Sequence, residues 1–227
     1  MRLSYICVLL AASAAILPAQ DDTPDKRLRS ATDTLREIMA TPEKGIPRGL
    51  LNRARCLVVV PGMKKAAFVV GGQYGRGFAL CRSEWGWSAP APVRMTGGSF
   101  GLQLGADSTD IVLLVMNERG MNRLLSDKFS LGADAAVAAG PVGRDATADT
   151  DILMRAEILS WSRTHGLFAG ASLSGTLVEH DDSEGKRLYG RAMSNHEIIS
   201  GDIKAPESAS GLVGLLNDMS PEKLKGQ

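Results

Sequence analysis

The apolar positions of the chain follow a helical spacing near its start and the spacing of strands further along. TPD at positions 23–25 has the capping hydroxyl, first-turn proline and acid of a helix start, and apolar residues then recur every three or four positions until Pro42. This pattern predicts a helix, followed by a shorter one around 48–54. Further helices are predicted from Asn117 and near 195–199 and 206–216.

Short β-branched and apolar runs, each broken by glycine, proline or charge, occupy the middle of the chain. CLVVVPG, AAFVVGG and FALCRS predict three strands between positions 56 and 83. From Phe100 apolar residues alternate with small or polar ones, which is the period of a half-buried strand. A turn at 107–110 and a strand over 111–116 are predicted to follow, with later strands at AAVAAG and over 167–177.

Strands in the middle and helices at both ends predict an α+β fold, an antiparallel sheet with the N-terminal and C-terminal helices packed on it. The chain has 25 glycines among 227 residues and only 5% aromatic residues. A glycine-rich sheet can twist strongly and pack closely, so this one could curl towards a barrel. Because no long linker divides residues 25–216, we expect them to form a single domain.

The first residues have the pattern of a secretory signal peptide. Arg2 precedes an uncharged apolar stretch over 3–17, and PAQ at 18–20 leads into two acidic residues. The apolar stretch, at about 15 residues, is shorter than the roughly 20 that span a bilayer. We therefore expect cleavage after Ala19, so that 1–19 is a signal peptide and the mature chain is exported, either periplasmic or secreted.

Cys56 and Cys81 are the two cysteines that such cleavage leaves in the chain. Each lies at the edge of a strand-like run, and neighbouring antiparallel strands would bring the two within bonding distance. Export would place them in a compartment that permits disulfides. A disulfide between Cys56 and Cys81 is therefore predicted, with two buried free thiols as the alternative.

GGSFG at positions 97–101 matches G-x-S-x-G, the motif that places the nucleophile of many serine hydrolases. In those enzymes the serine stands on a sharp turn between a strand and a helix. Here the alternation predicts a strand that begins at Ser99 itself, with a second strand rather than a helix after it. We therefore predict a protein that is not an enzyme and has no catalytic residue, and keep a serine hydrolase using Ser99 as an alternative.

The other candidate motifs each lack a part that their chemistry needs. HEIIS resembles the start of H-E-x-x-H, but Ser200 stands where the second histidine ligand would be. GGQYGRG at 71–77 has neither the glycine order nor the lysine of a phosphate-binding loop, and a hairpin is predicted there. DDSE at 181–184 has no EF-hand spacing and is predicted to be a solvated turn. No metal or cofactor is therefore expected, and three histidines are predicted to be surface or hydrogen-bonded residues: His165, His180 and His196.

The formal net charge is only +1 at pH 7, but the charges are unevenly distributed. Positions 44–83 hold no acidic residue and eight basic ones: Lys44, Arg48, Arg53, Arg55, Lys64, Lys65, Arg76 and Arg82. A basic surface on an exported protein favours an anionic partner, such as lipid headgroups, nucleic acid or an acidic polymer. Nucleic acid is disfavoured because aromatic residues do not interleave with the basic ones.

Two tryptophans favour a membrane surface among these partners. Trp85 and Trp87 flank Gly86 at a predicted hairpin tip, and tryptophan is enriched where water meets lipid. Trp87 is expected to pack on the sheet. Each cation near an anionic membrane contributes about 1 kcal/mol, so the predicted binding is reversible and weakens with salt. The predicted lipid-binding residues are Arg48, Arg53, Arg55, Lys64, Lys65, Arg76 and Trp85.

Four blocks of the sequence resemble the SYLF domain family, in the family's order: VVGGQYGRGFAL, GWSAPAPVRMTGGSFGLQLGADSTDIVLLVMN, LGADAAVAAGPVGR and LFAGASLSG. The similarity runs from about residue 25 to residue 210. It implies a lipid-binding domain, since eukaryotic relatives bind phosphoinositides, and a yeast branch also binds and bundles actin filaments. An N-terminal amphipathic helix is credited with membrane contact in eukaryotic relatives. The matching segment here is 25–40, and packing of its apolar stripe on the sheet is the alternative.

The leading hypothesis is an exported, non-enzymatic protein, peripheral to the membrane, that recognises anionic phospholipid headgroups through a basic surface. An exported chain would not ordinarily meet cytosolic actin. A protein-interaction or envelope-scaffold module is therefore the alternative from a different class.

Overall fold

The structure is a computed structural model that describes residues 22–41, 45–84, 86–141, 156–164, 167–170, 173–201 and 203–221. Only the backbone is described at 66–70, 99–107 and 167–170. The helices are α1 (Pro24–Met39), α2 (Arg48–Arg53), α3 (Glu118–Leu125), α4 (Asp182–Tyr189), α5 (Asn195–Ser200) and α6 (Ser210–Met219), with a 3₁₀ turn at Glu207–Ala209. The strands are β1 (Cys56–Ser83), β2 (Gly86–Trp87), β3 (Ala91–Val115), β4 (Lys128–Ser130), β5 (Val137–Ala139), β6 (Ile158–Thr164), β7 (Leu167–Gly170) and β8 (Leu177–His180).

Helix α1 begins where the sequence predicts it and packs on the sheet. The backbone N–H of Lys26 donates to Thr23 Oγ1 at 3.4 Å, and Pro24 occupies the first turn, where its missing N–H costs nothing. The protein itself covers the apolar stripe of this helix, as the alternative to membrane contact predicts. The fully buried residues of the stripe are Leu28, Ala31, Leu35 and Ile38.

Strands β1 and β3 form one long antiparallel pair in place of the separate strands that the sequence predicts. β1 has 28 residues and β3 has 25. Their register runs from Cys56 opposite Val115 to Ala79 opposite Ala91. The predicted hairpin at 71–77 is wrong, because these residues lie inside β1 and pair with β3.

Asp110 explains why the predicted turn at 107–110 is also wrong. Its carboxylate accepts a hydrogen bond from the Gly62 backbone N–H at 2.8 Å and pairs with Arg163 at 2.6 Å. Gly62 has a φ of +58° at a register shift in β1, a conformation that favours glycine. The polar segment therefore continues as a strand, and an irregularity in the facing strand accommodates it.

Strand β1 curls until its two ends meet. The backbone N–H of Arg82 donates to the carbonyl oxygen of Arg55 at 2.8 Å. Next to this contact Cys56 and Cys81 are joined by a disulfide, so the predicted pairing is confirmed. The sheet is accordingly a strongly curled half-barrel in an α+β fold, which confirms the predicted fold class.

The curl brings two segments of β1 so close together that Gly77 has no room for a side chain. A Cβ there would lie 2.0 Å from the carbonyl oxygen of Val59, a backbone atom that cannot rotate away. We expect Gly77→Ala to lower the free energy of unfolding by about 1–3 kcal/mol, measured by chemical denaturation. Gly72→Ala in the same strand is the control, because its Cβ would meet nothing within 4 Å. Equal losses in the two variants would contradict the close approach.

The remaining strands extend the sheet from β3. β6 pairs with β3, β7 pairs with β6, and β8 pairs with both β3 and β4, all antiparallel. β5 lies parallel to β6. The single strand predicted over 167–177 is wrong, since β7 and β8 are separate strands and Gly175 between them has a φ of +81°.

Over 56–60 and 111–115 both faces of the sheet are buried, and successive residues of β1 alternate between two apolar clusters. Val58 and Val60 belong to the cluster that α3 and α5 cover. Leu57 and Val59 belong to the cluster that α1, α2 and α6 cover. Among the described residues, none of the helices is long and apolar enough to cross a membrane.

Candidate membrane-binding surface

Helices α2 and α3 leave the sheet at the same end, where β1 begins and β3 ends. Cys56, the first residue of β1, pairs with Val115, the last residue of β3. The backbone N–H of Arg55 donates to the Val115 carbonyl oxygen at 2.8 Å. We call the exposed arginines of these two helices the basic end: Arg48 and Arg53 of α2, and Arg119 and Arg123 of α3.

Two carboxylates near the basic end are already paired with arginines. Glu118 Oε1 lies 3.1 Å from Arg55 Nη2, which accounts for the half-buried Arg55 of the predicted site. Glu157 Oε1 lies 3.9 Å from Arg119 Nη1. The arginines of the basic end that form no ion pair among the described residues are Arg48, Arg53 and Arg123.

Two exposed acids, Asp218 and Glu84, offset part of this charge. Asp218 of α6 lies two residues before Ser220, whose hydroxyl donates to Asn52 Oδ1 of α2 at 2.6 Å. Glu84 is also exposed and lies two residues after Arg82, whose backbone N–H bonds to Arg55 at this end. The three arginines without an ion pair among the described residues still outnumber these two carboxylates. An anionic surface would therefore be attracted to this end.

Sequence reasoning missed the two arginines that α3 contributes. Arg119 and Arg123 lie far along the chain from the basic run at 44–83, and a charge count along the sequence does not connect them to it. The signal that could have found them is the helix start at Asn117, directly after a predicted strand. If that strand pairs with the one after α2, both helices leave the sheet at one end.

The structure places Lys64 and Lys65 away from the basic end. They lie within β1, opposite Ser108 and Asp107 of β3. Both lie beyond the register shift at Gly62, whereas the basic end lies where β1 begins. Lys64 is exposed and its Nζ donates to Ser108 Oγ at 3.3 Å, whereas Lys65 is half-buried. The predicted cations therefore do not form one patch.

Arg76 lies in a third place, inside a network of ion pairs. Its Nε lies 2.6 Å from Asp181 Oδ2 and its Nη2 lies 3.0 Å from Oδ1. Arg27 of α1 pairs with Glu184, which is also 3.7 Å from Arg76 Nη1. We call Arg27, Arg76, Asp181 and Glu184 the buried ion-pair network, because their side chains are only 0–17% exposed.

The predicted solvated turn at 181–184 is wrong, because two of its residues belong to the buried ion-pair network. Asp181 and Glu184 are 0% and 1% exposed, and Asp181 caps α4 by accepting the Glu184 backbone N–H at 3.1 Å. Burial opposes ionisation of the Asp181 carboxyl, but hydrogen bonds from Arg76 and Ser183 outweigh it and hold its pKa below the ordinary value. The network therefore joins α1, β1 and α4 as fixed charges.

A groove with a volume of about 780 Å³ lies between α1 and the outer face of β1. Tyr74, which is 46% exposed, lines it together with Lys26 and Lys64. Its carboxylates are largely engaged, since both Glu37 and Asp110 pair with Arg163. The groove thus carries mixed charge. Two of its lining cations, Lys26 and Lys64, form no ion pair among the described residues, against three such cations at the basic end.

A family described as "Ysc84: Las17-binding protein actin regulator" matches residues 96–219, more than half of the chain. The chain belongs to this Ysc84 family. The resemblance to SYLF domains is thereby confirmed, and the matched residues run from within β3 to the end of α6. Arg119 and Arg123 lie inside the matched part, while Arg48 and Arg53 precede it.

Relatives of this Ysc84-family chain occur in yeasts and mammals. An SH3 domain-containing protein of Schizosaccharomyces pombe is 34% identical over 177 residues, covering 76% of this chain and 41% of that protein. SH3 domain-containing YSC84-like protein 1 of Rattus norvegicus is 29% identical over 181 residues, covering 79% and 53%. Protein YSC84 of Saccharomyces cerevisiae is 32% identical over 176 residues, covering 75% and 37%. The chain therefore spans about half the length of the curated relatives it matches.

Ser99 of this Ysc84-family chain lies inside a strand, not at a strand-to-helix turn. β3 begins at Ala91, so the prediction that a strand starts at Ser99 is wrong. Ser99 pairs with Gly71 of β1, and β3 continues to Val115. The backbone around Ser99 consequently lacks the turn that a nucleophile elbow requires.

Of the two tryptophans at the predicted hairpin tip, the structure describes Trp87. Trp87 is only 6% exposed, and its Nε1–H donates to the Ser220 carbonyl oxygen at 3.3 Å. The guanidinium of Arg82 lies 4.7 Å from the ring centroid, a cation–π contact. Because Arg82 belongs to β1, the prediction that Trp87 packs on the sheet is confirmed. Trp85 lies outside the described residues.

Proposed function

We propose that this Ysc84-family chain is an exported, non-enzymatic protein that binds anionic phospholipid headgroups through its basic end. The observation that carries the proposal is the set of three exposed arginines without a carboxylate partner among the described residues: Arg48, Arg53 and Arg123. The signal-like sequence over 1–19 supports export.

The expected strength follows from these charges. Each arginine near an anionic surface contributes about 1 kcal/mol, so three contribute about 3 kcal/mol, or roughly 100-fold in affinity. Salt screens exposed charges, and the binding should weaken as ionic strength rises. Such a protein would lie reversibly on the membrane surface.

Co-sedimentation of the mature chain with vesicles tests the proposal. We expect binding to phosphatidylglycerol vesicles at low salt, loss of that binding at high salt, and none to phosphatidylcholine vesicles. The triple variant Arg48→Glu, Arg53→Glu and Arg123→Glu should bind at least about 100-fold more weakly, because attraction is replaced by repulsion. These side chains are exposed, so the variant should keep its fold.

The matched control reverses the same amount of charge elsewhere on the surface. Lys26 and Lys64 line the groove, and Lys186 is exposed on α4. Reversal of these three lysines to glutamate should leave most of the vesicle binding intact. If the control loses as much binding as the basic-end variant, general charge attraction and not the basic end determines the binding.

A protein partner is the second candidate, and the comparisons favour it. The matched family is described as Las17-binding and as an actin regulator, and relatives carry SH3 domains by name. Absence of vesicle binding, together with co-sedimentation of the chain with actin filaments, would replace the lipid proposal with this one.

A further inference from the structure

Half-buried methionines are concentrated beside the basic end. Four of the seven methionines that the structure describes are half-buried, and the other three lie in the core. Three of the four half-buried ones lie where α2, α3 and α6 meet the end of the sheet, and we call them the end methionines: Met116, Met121 and Met219. A single half-buried apolar side chain is ordinary on a protein surface. Three of them among arginines give this end a mixed apolar and basic surface.

Two of the end methionines are placed by the strand that leads into α3. Met116 directly follows Val115, the last residue of β3, which pairs with the first residue of β1. Met121 lies in α3 between the exposed arginines Arg119 and Arg123. Both methionines therefore stand beside the arginines that α3 contributes to the basic end.

The third end methionine is held next to α2 by the hydrogen bonds of its neighbour. Met219 is the last residue of α6, and Ser220 follows it. The Ser220 hydroxyl donates to Asn52 Oδ1 of α2 at 2.6 Å, and its carbonyl oxygen accepts from Arg82 Nη1 at 3.2 Å. Arg82 Nε also donates to the Ala54 carbonyl oxygen at 2.9 Å. These bonds fix the end of α6 against the helix that carries the other arginines of the basic end.

The chemistry of this end fits the surface of an anionic membrane. Met116 and Met219 pack against the apolar cluster under α1, α2 and α6, and Met121 packs against the cluster on the other face. Each side chain is thus anchored in the protein and exposes the rest of its apolar surface. Methionine is unbranched and polarizable, so it adapts to surroundings without a fixed shape, such as the boundary between headgroups and acyl chains. The arginines around it are complementary in charge to anionic headgroups.

We propose that the end methionines enter the boundary between the headgroups and the acyl chains of the membrane to which the basic end binds. This inference rests on the proposed function, because the arginines bring the protein to the membrane. It goes beyond that function, because charge alone holds a protein on the headgroups, whereas apolar side chains that enter the membrane push lipids apart. The apolar contact is too small to hold the protein without the charges, so binding still weakens with salt.

A phosphatidylglycerol monolayer held at constant area at low salt tests the inference. The mature chain should raise the surface pressure, and the triple variant Met116→Gln, Met121→Gln and Met219→Gln should raise it less. The variant should also bind phosphatidylglycerol vesicles about tenfold more weakly, since losing the burial of about two methylene groups in total corresponds to roughly this factor. The matched control replaces the same three residues with leucine, which keeps the apolar surface at similar volume. It should behave like the unchanged chain.

The outcomes separate this inference from the proposal on which it rests. Vesicle binding without a rise in surface pressure overturns the inference and leaves the lipid proposal standing. Equal pressure rises and equal affinities in the glutamine and leucine variants overturn it as well. If the unchanged chain binds no phosphatidylglycerol vesicles, both proposals fail. Circular dichroism checks the fold of the variants, and if the triple glutamine variant does not fold, Met219→Gln and the pressure measured with the unchanged chain supply the result.

Discussion

Replacing Asp181 with alanine should lower the free energy of unfolding by about 3–5 kcal/mol, the usual cost of removing one partner of a buried ion pair. Asp181 is fully buried, and Arg76 bonds to both of its oxygens at 2.6 and 3.0 Å. The change leaves the Arg76 guanidinium, only 17% exposed, without its main partner. Glu184 at 3.7 Å offers partial compensation, which favours the lower part of the range. Urea denaturation of the purified variant measures the loss.

The same carboxylate caps α4, and a second variant separates the two roles. Ser194 caps α5 in the same way, accepting the Glu197 backbone N–H at 3.1 Å, but it carries no charge. Ser194→Ala should cost about 1 kcal/mol, the usual value for a lost cap. The difference between the variants is the cost of leaving Arg76 without the Asp181 carboxylate. If both cost the same, loss of the Arg76–Asp181 pair does not affect stability beyond the lost cap.

At acid pH the free energies of unfolding of the unchanged chain and of the Asp181→Ala variant should differ less than at neutral pH. The pKa of Asp181 in the folded protein is below its ordinary value of 3.8, because hydrogen bonds from Arg76 and Ser183 outweigh the effect of burial. A lowered folded pKa means that the ionised carboxylate stabilises the fold above about pH 3.8. That stabilisation is lost as the pH falls through the folded pKa. Urea denaturation at neutral pH and at a series of pH values below 3.8 should show the free energies of unfolding of the two proteins converging.

The burial of Asp181 also shows where reading a sequence fails. DDSE looks solvated because four polar residues stand together, and only a partner elsewhere can change that. The partner, Arg76, lies 105 residues earlier in the chain. Local patterns did predict the α1 start at Thr23, because a cap and its helix are neighbours in sequence.

The local sequence pattern also could not predict that β1 and β3 are each one continuous strand. Glycine and charge normally end a strand, and they interrupt the sequence between 56 and 83. Here Gly62 permits a register shift, and the cross-strand bond to Asp110 holds a polar segment in place. The candidate site also depends on a contact between distant parts of the chain. Arg53 and Arg123 lie at one end of the sheet only because Cys56 pairs with Val115.

Removing the disulfide should cost this Ysc84-family chain about 3.5 kcal/mol of folding free energy. The bond links Cys56 and Cys81, which are 25 residues apart. Closing a loop of that length lowers the entropy of the unfolded chain by an amount that corresponds to about 3.5 kcal/mol at 25 °C. The double variant Cys56→Ser and Cys81→Ser, compared with the oxidised chain by urea denaturation, measures it. The reduced unchanged chain is the control and should match the double variant.

The folding and unfolding rates show whether the disulfide acts on the unfolded chain or on the native curl of β1. The question arises because other contacts also hold this curl. The Arg82–Arg55 backbone hydrogen bond and the close packing at Gly77 hold the two ends together without the sulfurs. If the disulfide acts only on the unfolded chain, its loss should slow folding and leave the unfolding rate almost unchanged. If the bond also holds the native curl, the double variant should unfold faster. Stopped-flow measurement of both rates separates the two cases, and a stability loss below about 1 kcal/mol would contradict the loop-closure estimate itself.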